Sequence, residues 1–162
     1  MIIYFDSHSL TLVATGLRVY SAAPSLLQRV VPASVSKSRS IGNDVFDLMG
    51  FALPPGTVVG TQAWTMHRNP AVFPSPDTFL PDRWLCSDEP GSAESLIAMH
   101  QHFMPFGTGS RVCGGQNVAQ SMLKVVVAAV ARNFNIVAPP ETNEKSMEIK
   151  DSFVSTSRRF FF

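Results

Sequence analysis

Apolar positions at Leu10, Val13, Leu17 and Tyr20 fall near helical spacing and predict a first helix ended by Pro24. Leu27-Gln28-Arg29-Val30-Val31-Pro32 reads as a short strand closed by proline. Ala33–Asp44 is polar and serine-rich, a loop. Phe51–Val59 reads as a hairpin about Pro55-Gly56, since proline presets one φ of a type II turn and glycine accepts the positive one. Gln62–His67 fits one helical turn stopped by Asn69-Pro70. Between 70 and 105 stand prolines 70, 74, 76, 81, 90 and 105 with few periodic runs, which predicts a long ordered coil of the kind that often carries function. The clearest helix opens at Gly114 or Gly115 and runs to about Asn133. Val118, Met122, Val125, Val126, Ala129 and Val130 form a wide apolar stripe whose neighbours are also apolar, so the helix is expected to be buried on most sides. Past Pro139-Pro140, short strands are expected near Phe153–Ser155 and Arg159–Phe162, and no internal repeat is present.

Composition narrows the class. The chain has 162 residues, enough for about one domain or a piece of one. Apolar residues make up 45% and charged ones 15%, which excludes intrinsic disorder. Thirteen Lys+Arg against twelve Asp+Glu leave a formal charge of +1. No field of one sign exists to hold a phosphate backbone, so no nucleic-acid partner is expected. The longest apolar run, Val125–Ala131, is far shorter than the ~20 residues of a membrane-spanning helix. No signal peptide is read in the first residues. Cys86 and Cys113 cannot make a disulfide scaffold, and nothing argues for a bridge between them.

The chemistry concentrates in Phe106-Gly107-Thr108-Gly109-Ser110-Arg111-Val112-Cys113-Gly114-Gly115. Gly107 and Gly109 let the backbone bend tightly and approach something flat. Cys113 lies at the mouth of the long helix, where unpaired amides and the positive dipole end favour a thiolate, with Arg111 adding a cation. A thiolate there is a nucleophile or a soft ligand for iron or zinc. Other readings fit less well. A P-loop ends in Gly-Lys-Ser/Thr, and a dinucleotide fingerprint needs glycine where Val112 stands. A zinc site from His100, His102, Cys113 and Cys86 lacks paired ligand spacing. A cysteine hydrolase lacks any local signature for its histidine. Taken alone, the loop also fits a buried structural cysteine on a capped helix.

The run Phe106-Gly107-x-Gly109-x-Arg111-x-Cys113-x-Gly115 resembles the haem-binding loop of the cytochrome P-450 superfamily, the haem-thiolate monooxygenases. Phe79-Leu80-Pro81-Asp82-Arg83-Trp84, Ala63–Pro70 with Phe73, and Leu17-Arg18-Val19-Tyr20 followed by Gln28–Pro32 resemble further stretches of that family, in its order. The resemblance implies an irregular, coil-rich α+β chain: the C-terminal part of a mainly-α fold, holding the K helix, short β hairpins, the meander, the cysteine loop and the long L helix. Residues 1–9 are expected to be unpatterned and 10–162 to form the haem-binding portion.

On this resemblance Cys113 is the catalytic residue and the axial ligand to the iron of haem b. Gly107 and Gly109 lie against the porphyrin, and Phe106 packs beside the sulfur. Arg111 and Arg29 reach haem propionates, as guanidinium suits carboxylate. The implied reaction inserts one atom of dioxygen into a small organic substrate. Electrons come from NADPH through a reductase-type partner. The parent protein is expected at the endoplasmic reticulum membrane, with no membrane span in this chain. Family members are roughly three times longer, so the chain looks truncated; the alternative is a non-catalytic fragment that binds haem weakly or not at all. Arg18 and Arg83 belong to a charge network behind the haem, but the glutamate of the family's Glu-x-x-Arg pattern is Thr15 here, leaving Asp82 or Asp6 as the carboxylate. His67, His100 and His102 are expected in loops or at the surface. Trp64 and Trp84 are expected to pack, and Cys86 has no role.

Overall fold

A computed structural model describes residues 7–33, 45–143, 145–146, 148–152 and 154–157. They form two compact units: Leu26–Gln62, and the residues up to Ser25 together with those from Ala63 onward. Helices and small two-stranded antiparallel sheets make this an α+β chain.

In the larger unit, α1 spans Ser7–Val19, α2 Ala63–His67, α3 Ser92–His102 and α4 Gln116–Asn133. Strands β5 (Ile149–Ser152) and β6 (Val154–Ser157) form a hairpin there. The core is small and aromatic: Phe73, Trp84 and Met99, with Ala14, Val72, Leu96 and Phe103 packed on it. Phe73 meets Trp84 edge-on at 6.1 Å, and Trp84 meets Phe103 at 5.0 Å, separations at which aromatic pairs attract. Burying an indole needs an acceptor for its N–H, and Thr15 Oγ1 of α1 supplies it at 3.0 Å.

The smaller unit holds two sheets. In one, β1 (Leu26–Val30) pairs with β4 (Val58–Gln62), Gln28 opposite Gly60. In the other, β2 (Phe46–Leu48) pairs with β3 (Phe51–Leu53) about Met49-Gly50, both at positive φ as a primed hairpin turn requires.

Four expectations are corrected. Phe51–Val59 is not one hairpin. The turn is present, with Thr57 N–H donating to Pro54 O at 3.2 Å and Gly56 at φ +85°, but its arms join different sheets. The proline-rich stretch is not coil throughout, because Pro90 and Pro105 flank α3 and none falls inside it. The long helix begins at Gln116 with Gly115 as its N-cap and ends at Asn133, as expected, yet it is not buried on most sides. Its one buried residue is Ala128, while Val118, Met122 and Val126 stand in solvent. The fourth concerns His67 and is described with the site. The serine-rich loop beyond Ala33, and Arg159–Phe162, lie outside the described residues.

Candidate functional site

The cysteine loop is built almost wholly from main-chain hydrogen bonds. Gly107 N–H donates to Met104 O at 3.1 Å, and Gly107 takes φ +75°. Gly109 takes φ +73° and opens a single 3-10 turn, Gly109–Arg111, closed by Val112 N–H to Gly109 O at 3.2 Å. Side chains with a Cβ rarely adopt these angles, so the two glycines are set by the turn itself. Cys113 N–H then donates back to Phe106 O at 2.9 Å and draws the loop into a ring. Gln116 N–H to Cys113 O starts α4 one residue beyond its glycine cap.

Five of the six sequence-predicted site residues therefore share one loop. Cys113 is exposed, its thiol free, at the N-terminal end of an 18-residue helix whose dipole favours negative charge there. Arg111 is exposed and has no ion-pair partner among the described residues, while Phe106 is half-buried. Arg29 lies on β1 in the smaller unit, exposed, with Nη1 donating to Gln28 O at 2.7 Å. Cys86, also free and exposed, has Ser92 Oγ 3.9 Å away. Among the described residues no three of His, Cys, Asp and Glu converge as a metal cluster. A cavity of about 470 Å³, walled by Val72, Pro74, Leu80, Ala98 and Met99 with Arg83 and Glu94 at its polar side, includes none of the predicted site residues.

Behind the loop sits an arginine network that does without the missing glutamate. Arg18 is fully buried, and its guanidinium donates to His67 O at 2.8 Å and Thr78 O at 3.2 Å. Its Cζ lies 5.2 Å from the centre of the Phe73 ring. Arg83 donates to Pro74 O, Ser75 O and the same Thr78 O. Carbonyl dipoles along 74–78 thus receive both cations. Among the described residues the one ion pair is Arg68 Nε with Asp77 Oδ1 at 2.9 Å, so Asp82 does not take the glutamate's place; Asp6 lies outside the described residues. Burial, and the neighbouring Arg83 and Arg68, lower the Arg18 pKa to about 10.

His67 is the residue that sequence reasoning misplaced. It is fully buried, neither loop nor surface. Met104 N–H donates to its Nε2 at 2.9 Å, and its Nδ1 lies 3.2 Å from Arg18 O. An amide can only donate, so Nε2 is the bare nitrogen and Nδ1 carries the hydrogen toward Arg18 O. Burial, against which the bond to Arg18 O acts, together with the Arg18 and Arg68 charges, lowers its pKa from 6.5 to about 4. Its sole signal in the sequence is membership of the stretch Ala63–Pro70; nothing local announces burial.

The family profile for Cytochrome P-450 matches residues 16–162. The chain is similar to the cytochrome P-450 monooxygenase mfmF of Annulohypoxylon moriforme, 38% identical over 143 residues, covering 87% of this chain and 27% of that protein. It is also similar to the N-acetyltryptophan 6-hydroxylase ivoC of Emericella nidulans, 39% identical over 104 residues, covering 64% and 20%. To cytochrome P-450 2U1 of Bos taurus it is 34% identical over 116 residues, covering 72% and 20%. The chain thus spans about a fifth to a quarter of the length of these relatives.

Proposed function

The chain belongs to the cytochrome P-450 family, and from that premise we propose that it supplies the haem-thiolate portion of a monooxygenase, with Cys113 as the axial ligand to the iron of haem b. Relatives carry monooxygenase and hydroxylase names, and the family's cofactor is haem. In this reading residues 10–162 are the haem-binding portion, α1 corresponds to the K helix and α4 to the L helix. The observation that carries it is the accessible thiol of Cys113 at the N-terminus of α4, on a ring of backbone closed by Cys113 N–H to Phe106 O.

The donor chemistry fits the group. One soft sulfur is presented, and the Cβ sides of Gly109 and Gly114 are open to 4 Å, room for a flat macrocycle to approach the backbone. Haem, when bound through a thiolate, supplies the redox centre at which one atom of dioxygen is inserted into an organic substrate. The chain's own residues do the holding. The N-terminal end of α4 suits the negative charge that a metal-bound thiolate would carry. Phe106 would shield one side of the sulfur from water once haem is bound. Arg111 would offer its guanidinium to a propionate; for Arg29, in the smaller unit, the same role rests on the family resemblance alone. The electron source is NADPH through a reductase-type partner, the substrate a small organic molecule, and the setting of the whole protein the endoplasmic reticulum membrane. Among the described residues no helix is long and apolar enough to cross a membrane.

The test is the reduced, carbon-monoxide-bound spectrum of the chain supplied with haem. A thiolate-type Soret band is expected, abolished by Cys113→Ala and unchanged by Cys86→Ala. Equal effects of the two substitutions would remove Cys113 from the iron; haem uptake without the band, or none, would favour a non-catalytic fragment.

A further inference from the structure

We propose that His67 is a positioning residue that acts as a proton-operated latch on the cysteine loop: neutral, it holds the main chain at Met104, and protonated, it lets the segment 104–113 go. That the loop is worth latching rests on the haem reading; the latch itself rests on geometry alone.

Three pieces of the larger unit meet at this ring. Arg18 Nη1 donates to His67 O at 2.8 Å while His67 Nδ1–H returns a bond to Arg18 O, so α1 and α2 are tied reciprocally. The other ring nitrogen takes Met104 N–H at 2.9 Å. Met104 O in turn receives Gly107 N–H, and Phe106 O receives Cys113 N–H. The imidazole is therefore the side chain that holds Met104, two residues before the backbone ring closed by Phe106 and Cys113.

A proton on Nε2 is costly while the latch is closed. It would set one N–H against another and break the 2.9 Å bond that Met104 N–H makes to Nε2 in a buried site. The new charge would face Arg18 from α1 and Arg68 from beyond α2, both cationic. Phe103, whose ring lies 5.5 Å from the imidazole, offers no anion. Past it stand Trp84 and His100. Asp77, the nearest acid in this network, is already paired with Arg68. Opening the latch is the remaining way to take up the proton.

The test follows amide exchange of Met104 in the full haem-free chain from pH 7.5 to 4.5. With the imidazole at about 4 when closed and 6.5 when free, the protection factor should fall about tenfold per pH unit below 6.5, toward a limit of about three-hundredfold. His67→Gln keeps an acceptor but cannot titrate, and should hold its protection flat across that range. A flat wild type, or a glutamine variant that falls in parallel, overturns the latch. If the variant does not fold, nitrogen shifts of the wild-type imidazole decide: Nε2 should gain its proton in step with the loss of Met104 protection. A protonated ring over a still-protected amide overturns the proposal. The carbon-monoxide spectrum at pH 7.5 separates the two claims: no thiolate band with the pH-linked loss intact sinks the haem reading alone, and the reverse sinks the latch alone.

Discussion

The family resemblance expects a glutamate at Thr15, and the hydroxyl there does a different job. It accepts Trp84 Nε1–H at 3.0 Å inside the aromatic core, while Arg18, three residues on, is served by main-chain carbonyls. Thr15→Val keeps the shape and removes the acceptor, leaving a buried indole N–H unpaired. That should cost about 1–3 kcal/mol, read as a lower denaturant midpoint with unchanged slope. Thr15→Ser, which keeps the hydroxyl, should lose far less; equal losses would mean that methyl packing matters and the bond does not. The identity of Thr15 was legible in the sequence as a departure. Its partner was not, because Trp84 lies 69 positions away and only the folded core brings it to Thr15. The same holds for His67: a histidine between Met66 and Arg68 has no local mark of burial, and its partners Arg18 and Met104 lie 49 and 37 residues away.

Elements were legible where their rules are local. The bounds of α4 follow from Gly114-Gly115 and a run free of Gly and Pro with an apolar stripe, and the turn at Gly56 follows from Pro55-Gly56. Strand partners were not: β4 pairs with β1 across an intervening hairpin, a choice set by packing that no turn residue encodes. Apolar periodicity in α4 marked a face that stands largely in solvent, not the one that packs. Ala128 is buried on the helix, which packs against α1, while Val118 at 65%, Met122 at 62% and Val126 at 56% exposure line one open stripe at four-residue spacing. Stripes of this kind drive association. Replacing Val118→Glu together with Met122→Lys places an acid four residues ahead of a base, worth about 0.3–0.5 kcal/mol to the helix. The double variant should show the same circular dichroism and less self-association by light scattering. Loss of helix signal would mean that the stripe is covered.

At the scale of the molecule, acid is the lever that separates this chain's two kinds of buried cation. Arg18 stays charged at every pH below about 10, so its cost is constant across the physiological range. His67 does not. Its folded pKa, about 4, lies below the free value of 6.5, so the unfolded chain binds the extra proton first as pH falls. The stability this contributes is complete above 6.5 and drains away between there and 4, amounting to about 3 kcal/mol by the 1.36 kcal/mol attached to each pKa unit. Carboxylates titrate in the lower part of the same window, so the wild-type curve alone cannot assign the loss. The difference between wild type and His67→Gln can, because those carboxylates are common to both. At pH 7.5 the wild type should be the more stable in urea. The gap should narrow through pH 6 and 5 and close or reverse near 4, as the histidine's advantage is titrated away. A gap that stays constant from 7.5 to 4.5 would mean that the ring supports the fold by its shape and not by its charge state.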